Sequence, residues 1–428
     1  MLEYLWVRFR MAVHPRILAF LWKSHKAFSG DKDYSFLSLM KAIWKVSKHE
    51  RIVLHEGRFV YSSFLPPLPS KAISQVLTSV AGEGSFFKKH TMAKRSAPIS
   101  MYLSVTGRCQ YRCRHCSAAD RKERDELSTQ EWISVIAQLQ DMGTAMIGFT
   151  GGEPLLRSDI VELVASVDDR SETLLFTSGS GLDHDMARKL KGAGLFALGV
   201  SLDSCVSEVM DEQRGVGGAF QTALDAIQAG RRAGLYTMAQ TVATKDMLES
   251  GALERLIERA KELGVHEVRI LESLPTGRML HTETKNLMGC HERKKLQALH
   301  EKLNLRRGYP KVSIFAHTED FALFGCGAGT QHSYIDAAGH LCPCDFVPLS
   351  FGKVTESPVR ELWAEMSKKI GGPRRRCMIM EMHHHLSRLG PTELPIQGEL
   401  ADKLIQSLVP MDARPGFYTA LEGCSNSD

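Results

Sequence analysis

The 428-residue sequence has no apolar run long enough to span a bilayer. It has no evident signal peptide either, because Arg8, Arg10 and Arg16 interrupt its start. Both absences lead to the expectation of a cytoplasmic protein. Charge of one sign is also scarce. A net charge of +5 is small for this length and leaves no nucleic-acid footprint, so no nucleic-acid partner is expected. Neither an internal repeat nor a long low-complexity tract is present. Cytoplasmic thiols are kept reduced, so the ten cysteines read as metal ligands or buried thiols rather than disulfides. With 43% hydrophobic and 24% charged residues, the chain is globular in composition and too long for one core.

What is there divides into three regions, 1–95, 96–306 and 307–428. The first is rich in aromatic and basic residues. Its first 50 residues hold nine Lys or Arg against four acidic residues, interleaved with Trp6, Phe9, Phe20, Trp22, Phe28, Phe36 and Trp44. Apolar positions recur there at helical spacing. Two readings stand side by side: a helical cap packed on the rest of the protein, and an amphipathic layer that contacts a membrane surface. The proline-rich stretch 64–70 reads as an extended connector, followed by a short helix from 71 to about 81 capped by Ser70.

In the second region, β-rich runs at 99–105, 145–150, 173–177, 195–202, 236–243 and 267–271 alternate with amphipathic stretches. Among the latter are 129–142, 158–167, 219–233 and 252–263, with Ser128 capping the first. Six βα units predict a parallel sheet with helices on its outer face and ligands at the C-terminal strand ends. Beyond Pro310 the alternation stops. The glycine- and cysteine-rich segment 325–352 predicts a small region organised by metal rather than by a large core. Residues 423–428 read as a frayed end.

Cys109, Cys113 and Cys116 carry the strongest chemical signal, at C-x3-C-x2-C spacing directly after the first strand. Three thiolates on one loop can hold three corners of an iron–sulfur cubane. No fourth thiolate is near, which leaves one iron open for a ligand. A structural zinc site would want a second ligand pair, and only His115 is close by. Three ordinary cysteines are the plainer alternative. Gly151, Gly152 and Glu153, before Pro154, stand at the end of the second strand, where glycine permits close backbone approach and Glu153 adds a carboxylate.

At the cysteine triplet the sequence resembles the radical S-adenosylmethionine (radical SAM) superfamily. The resemblance implies an α/β fold, a partial (β/α)6 TIM-type barrel, here with a helical N-terminal extension and a small C-terminal iron–sulfur region. It implies a 4Fe-4S cluster whose open iron is chelated by S-adenosyl-L-methionine. Reductive cleavage to a 5′-deoxyadenosyl radical and abstraction of a substrate hydrogen would follow, fed by a flavodoxin- or ferredoxin-type electron donor. By position in the family pattern, Tyr111 and His115 are expected near the adenine, and Gly151, Gly152 and Glu153 at the cofactor's amino group. Ser178 is expected at the cofactor as well, although it departs from the Thr-Asn-Gly found in many members. Ser201 and Asp203 match a segment that reaches the ribose or carboxylate, and Arg214 an arginine beside the cofactor. The turn 275–278 matches one placed next to the adenine.

A second constellation resembles the SPASM and twitch extensions of the same superfamily. Cys326, Gly339 and Cys344 satisfy their opening C-x9–15-G-x4-C signature, with twelve and four intervening residues. Residues 336–339 read as a turn between short strands at 333–335 and 340–342. The multi-cysteine block that completes a full SPASM extension is absent. One auxiliary cluster is therefore expected, held by Cys326, Cys344 and Cys377, with Cys342 as the fourth ligand, an open site in its place, or a fourth ligand from elsewhere. His383, His384 and His385 read as a solvated stretch, Cys424 lies near the end, and Cys205 and Cys290 read as ordinary thiols. No separate cobalamin-binding domain fits before Ser96.

The resemblance points to a ribosomal peptide, or a cofactor or tetrapyrrole precursor, as substrate. The alternatives are a lipid-modifying radical SAM enzyme docked peripherally on a membrane, and, in a different class, a non-catalytic iron–sulfur or zinc protein. Glu153 speaks against the last, since a bare metal scaffold has no need of it.

Overall fold

The computed structural model describes residues 2–30, 34–119, 125–282, 287–389 and 393–422. Cys424 and the segment 423–428 lie outside the described residues. Strands β1 (Val53–His55) and β2 (Arg58–Val60) form an N-terminal hairpin. The main sheet comprises β3 (Ser100–Ser104), β4 (Met146–Thr150), β5 (Glu172–Thr177), β6 (Ala197–Ser201), β7 (Tyr236–Ala243), β8 (Glu267–Glu272), β9 (Lys311–Ile314), β10 (His332–Ile335) and β11 (Leu341–Cys342). Their order is β11-β10-β3-β4-β5-β6-β7-β8-β9. All neighbours from β10 to β9 pair parallel, and only the β10–β11 hairpin is antiparallel. The six strands β3–β8 are those of the expected partial barrel. β9 and β10 lie beyond residue 306, the expected end of the barrel, yet both hydrogen-bond to its edges.

Both faces of the strands are buried, so their sequences are nearly continuous apolar runs. The outer face packs against helices such as Thr129–Met142, which turns Trp132, Val135, Ile136 and Leu139 inward at 3.6-residue spacing. This helix opens with a capping box, Ser128 accepting from Glu131 N–H and Glu131 from Ser128 N–H. It closes at Gly143, whose φ of 100° suits glycine. The shorter helix Ala72–Thr78 begins one residue later than expected, after Lys71, although the Ser70 hydroxyl still accepts from Ile73 N–H.

Alternate residues on the inner face, among them Met146, Leu174, Phe176, Ala197, Tyr236 and Met238, form a separate cluster. Val60 of the N-terminal hairpin joins it, and Arg58 pairs with Glu172 at 2.7 Å, so the hairpin plugs one end of the barrel. The C-terminal region corrects an expectation. It adds to the main core through the helices Val359–Ile370 and Met378–Leu386, which bury Val359, Leu362, Trp363, Met366, Met378 and Ile379. Hydrophobic packing, and not metal alone, organises it.

Helices Leu2–Ala12, Pro15–Phe28 and Phe36–Ser47 form the N-terminal layer. Ile17, Phe28 and Ala42 are buried, but Trp6, Phe9, Trp22, Phe36 and Trp44 are exposed, so packing accounts for one face only. Glu50 pins the layer to the barrel through Lys311 and, at 3.0 Å, His300. Among the described residues no helix is long and apolar enough to cross a membrane.

Candidate functional site

The loop after β3 carries the three cysteines and is seated by four other segments. Thr106 Oγ1 and Gly107 N–H both donate to Glu126 Oε1, at 2.8 and 2.9 Å. Arg112 and Arg114 N–H donate to the carbonyls of Arg214 and Gln213. Arg278 donates from N–H to Cys116 O at 3.1 Å and from Nη1 to Cys113 O at 2.6 Å. Gly277 has a φ of 52°, and a Cβ there would stand 2.1 Å from Cys116 O. The turn 275–278 thus clasps the cysteine loop. Glu126 has no motif around it and was not singled out from the sequence.

Gly151 and Gly152 serve the same loop. A Cβ would lie 2.4 Å from Thr106 O at the first and 2.2 Å from Arg108 O at the second. Gly152 and Glu153 N–H donate to those two carbonyls at 2.7 and 2.8 Å. The close approach expected of these glycines is therefore an approach to the cysteine loop. The Glu153 carboxylate is fully buried. It accepts from Thr177 Oγ1 (2.6 Å), Leu155 N–H (3.2 Å), Ser178 N–H (2.8 Å) and Ser178 Oγ (2.5 Å), and burial pushes its pKa up despite these bonds. It ties the end of β4 to the end of β5.

Arg214 bridges the loop to the end of β6. Its Nη1 donates to Cys113 Sγ at 3.6 Å, and Nη2 lies 2.5 Å from Asp203 Oδ2. Burial raises the Asp203 carboxyl, but Arg214 and then His115 more than offset it and hold the group below its ordinary value. His115 lies 3.6 Å from the same oxygen, its own pKa lowered chiefly by burial. Tyr111 packs with Cys113 and Ala219, and its hydroxyl meets Thr222 and Ser178. Ser201, half-buried, ends β6 two residues before Asp203. The expected cofactor residues therefore share one strand-end cluster, most of them acting on the loop or on each other.

The donor chemistry fits a cationic cluster. Partial burial raises the Cys109 thiol to about 11, although one side of it meets solvent, with Glu153 and the other two cysteines adding to the shift. Burial likewise raises Cys113, which Arg214 partly counters. Crowded thiols that disfavour one another's ionisation become stable thiolates when a metal sits among them.

A second donor group lies in the C-terminal region. Ligand atoms of Cys326, Cys377 and Glu319 fall within 4.8 Å of one another. Cys326 is pushed well up by its hydrogen bond with Cys377 and then by burial; Cys344 is raised by burial, Asp345 and Cys326. These groups fit an iron–sulfur centre by the same reasoning. Cys342 stays apart: on β11, fully buried, its Sγ donates to His340 O at 3.7 Å. Glu319, in a segment without any motif, completes the close group with Cys326 and Cys377, to which neither Cys344 nor Cys342 belongs. His383 is buried and bonded to Leu280 O, whereas His384 and His385 are exposed as expected. Thr276 Oγ1 donates to Phe346 O at 2.8 Å, linking the cysteine-loop clasp to the neighbourhood of Cys344.

Beside the second donor group lies a cavity of ≈ 1040 Å³, whose lining reaches Thr150 at the end of β4 but none of Cys109, Cys113 and Cys116. Phe20, Leu21, Leu39 and Met40 of the N-terminal layer roof it, and Tyr102, Phe176 and Leu271 belong to its barrel wall. Cys326, Cys344, Cys377 and Glu319 line it as well, so the second donor group faces the same space. Most of its lining is apolar, the character of a small-molecule site at the upper end of the usual size.

Comparison with known proteins agrees with this geometry. Residues 103–249 match the model of the radical SAM superfamily, and residues 326–378 that of an iron–sulfur cluster-binding domain, SPASM. The AdoMet-dependent heme synthase of Methanosarcina barkeri is 28% identical over 317 residues, covering 68% of this chain and 90% of that protein. The Fe-coproporphyrin III synthase of the same organism is 26% identical over 324 residues, 68% of this chain and 80% of that protein. The PqqA peptide cyclase of Granulibacter bethesdensis is 30% identical over 182 residues, 42% of this chain and 48% of that protein. Among solved structures, anSMEcpe with bound AdoMet aligns with a TM-score of 0.54 at 18% identity, over 65% of this chain and 84% of that one. Streptococcus suis SuiB bound to S-adenosylmethionine gives 0.54 at 17% identity, over 65% and 68%. These two likenesses speak for the fold.

Proposed function

Since the chain is a radical SAM enzyme with a C-terminal SPASM region, we propose that it abstracts a hydrogen atom from a large, mainly apolar small molecule of the tetrapyrrole class. The apolar cavity that opens on Cys326, Cys344 and Cys377 carries this reading. The names of two relatives that match over most of their length favour a tetrapyrrole. An extended peptide fits less well, because its backbone N–H and C=O groups would need partners that an apolar wall does not offer.

In this reading Cys109, Cys113 and Cys116 hold a 4Fe-4S cluster, and S-adenosylmethionine binds above the strand ends beside them. When bound, the pair supplies reductive cleavage of the sulfonium and, with it, hydrogen abstraction from an unactivated C–H bond. The chain's own residues set the stage. Arg214 donates to Cys113 Sγ and keeps positive charge beside that sulfur. Asp203 orients Arg214 and lies beside His115. Glu153 and Ser178 fix the rim between β4 and β5, with Tyr111 packed next to them. Cys109 is the exposed member of the triplet and the natural entry for an electron from a flavodoxin- or ferredoxin-type donor. Cys326, Cys344 and Cys377, with Glu319 at the fourth position, hold the auxiliary cluster against the cavity.

Anaerobically reconstituted protein incubated with S-adenosylmethionine and dithionite should release 5′-deoxyadenosine, and Cys109→Ala should abolish it. Iron-loaded wild type that releases none above background would sink the reading.

A second reading concerns location. Trp6, Phe9, Trp22 and Trp44 are exposed together with Arg10, Lys23, Lys26, Lys41 and Lys45. Such a face suits peripheral contact of a cytoplasmic enzyme with an anionic membrane, from which an apolar substrate could be drawn.

A further inference from the structure

One positive charge in the cavity has no anionic partner among the described residues. Arg269 stands mid-strand on β8, below the strand-end cluster, and is 3% exposed. Its Nη2 donates to Tyr102 Oη at 3.2 Å, whereas Nε and Nη1 are buried without a hydrogen-bond partner. Among the described residues no carboxylate lies within ion-pair distance of it. Four rings surround the guanidinium instead: Phe64 at 4.6 Å, Phe176 at 4.8 Å, Phe315 at 5.3 Å and Tyr102 at 5.9 Å.

Neighbouring strands make room for this cage. A Cβ at Gly148 would stand 2.7 Å from the Tyr102 ring, and one at Gly199 would stand 2.6 Å from the Phe176 ring. Two inner-face positions are thus bare so that the rings can lie against the sheet. Aromatic faces attract a cation but do not accept its N–H donors as an anion does. A buried ion left in that state is costly, and a structural role alone would be better served by an apolar side chain of similar size.

We propose that Arg269 anchors a carboxylate of the substrate, so that the cavity takes a large apolar molecule bearing a carboxylate group. This rests on the reading of the cavity as the substrate site. A single guanidinium whose Nε and Nη1 make no hydrogen bond matches a monoanionic carboxylate, whereas a phosphate ester would call for a second cation. The carboxylate could belong to a tetrapyrrole side chain or to a fatty acid, and binding measurements separate the two.

Reconstituted holoenzyme with S-adenosylmethionine would be titrated with coproporphyrin III and its tetramethyl ester, and with palmitate and methyl palmitate. Wild type, Arg269→Met and Arg269→Lys would be compared. The acid should bind wild type roughly tenfold to a hundredfold more tightly than its ester, the span of a charge-assisted hydrogen-bonded pair. Arg269→Met should lose that margin with the ester's affinity unchanged, and Arg269→Lys should recover part of it. The ligand-free Arg269→Met protein should melt no lower than wild type. A lower melting temperature, with acid and ester weakened alike, would show a structural pillar and overturn the proposal. Equal binding of acid and ester by wild type would overturn it too, leaving the apolar site intact. An Arg269-dependent margin for palmitate alone would uphold the anchor and remove the tetrapyrrole. Binding of none of the four compounds would overturn both.

Discussion

The missing Cβ of Gly152 decides whether the cysteine loop can sit where it does. With Arg108 O only 2.2 Å from where that atom would be, Gly152→Ala must push the loop away from β4. Overpacking of this kind costs about 1–3 kcal/mol, and here it falls on the backbone that presents the ligands. The variant should fold, lose most of the iron of the first cluster and release little 5′-deoxyadenosine, while keeping iron at Cys326, Cys344 and Cys377. Full iron content with wild-type cleavage would refute this account. At this scale the cysteines were legible because ligand spacing is a property of the chain itself. Glu126 and Glu319 were not, because their partners come from distant segments that only folding brings close. Arg269 left a trace: a charge in the middle of the run 267–271, where a strand buried on both faces has no routine use for one.

Strands and helices of the barrel were legible for a different reason. The outer helices repeat their apolar residues every 3.6 positions, and the strands between them are short and apolar on both faces, so the two patterns do not blur. The helix Val359–Ile370 has the same period in Val359, Leu362, Trp363, Met366 and Ile370, yet it follows a cysteine-rich stretch that reads as metal-organised. The hairpin β1–β2 is too short to stand out, and it matters at acid pH. Its His55 meets the His266 ring at 4.7 Å, and His266 stacks on Tyr236 at 5.0 Å. Burial, then His55 and Arg231, lower the His266 pKa from 6.5 to about 3. The unfolded chain therefore takes up this proton as pH falls through 6.5, and the folded protein only near 3, so stability declines across that window. Glu50 adds a second loss. Burial opposes its ionisation, but Lys311 and His300 hold its pKa at about 2 against an ordinary 4.5, so that pair's contribution fades as pH falls from 4.5 toward 2. Unfolding midpoints of the metal-free protein should be level above pH 6.5 and drop below it. His266→Gln should flatten the drop between 6.5 and 4.5. An unchanged slope would dismiss His266 as its source.

For the whole molecule, the N-terminal layer decides how the cavity meets its surroundings, because helices Pro15–Phe28 and Phe36–Ser47 roof it while exposing Trp22 and Trp44 outward. Full-length protein should float with anionic liposomes, and a Trp22→Ser, Trp44→Ser double variant should float markedly less. Equal flotation would discard the membrane contact. Helical period and basic charge were legible in this layer. Which of its faces would be buried was not, since that depends on residues such as Lys311 and Leu421 far along the chain. The pairing of β3 with β10, Ser100 opposite His332, carries a consequence in time. During synthesis the first barrel strand emerges early, but its outer edge stays open until more than three quarters of these 428 residues have been made. Such late closure slows folding and leaves an unpaired edge that invites association with other chains.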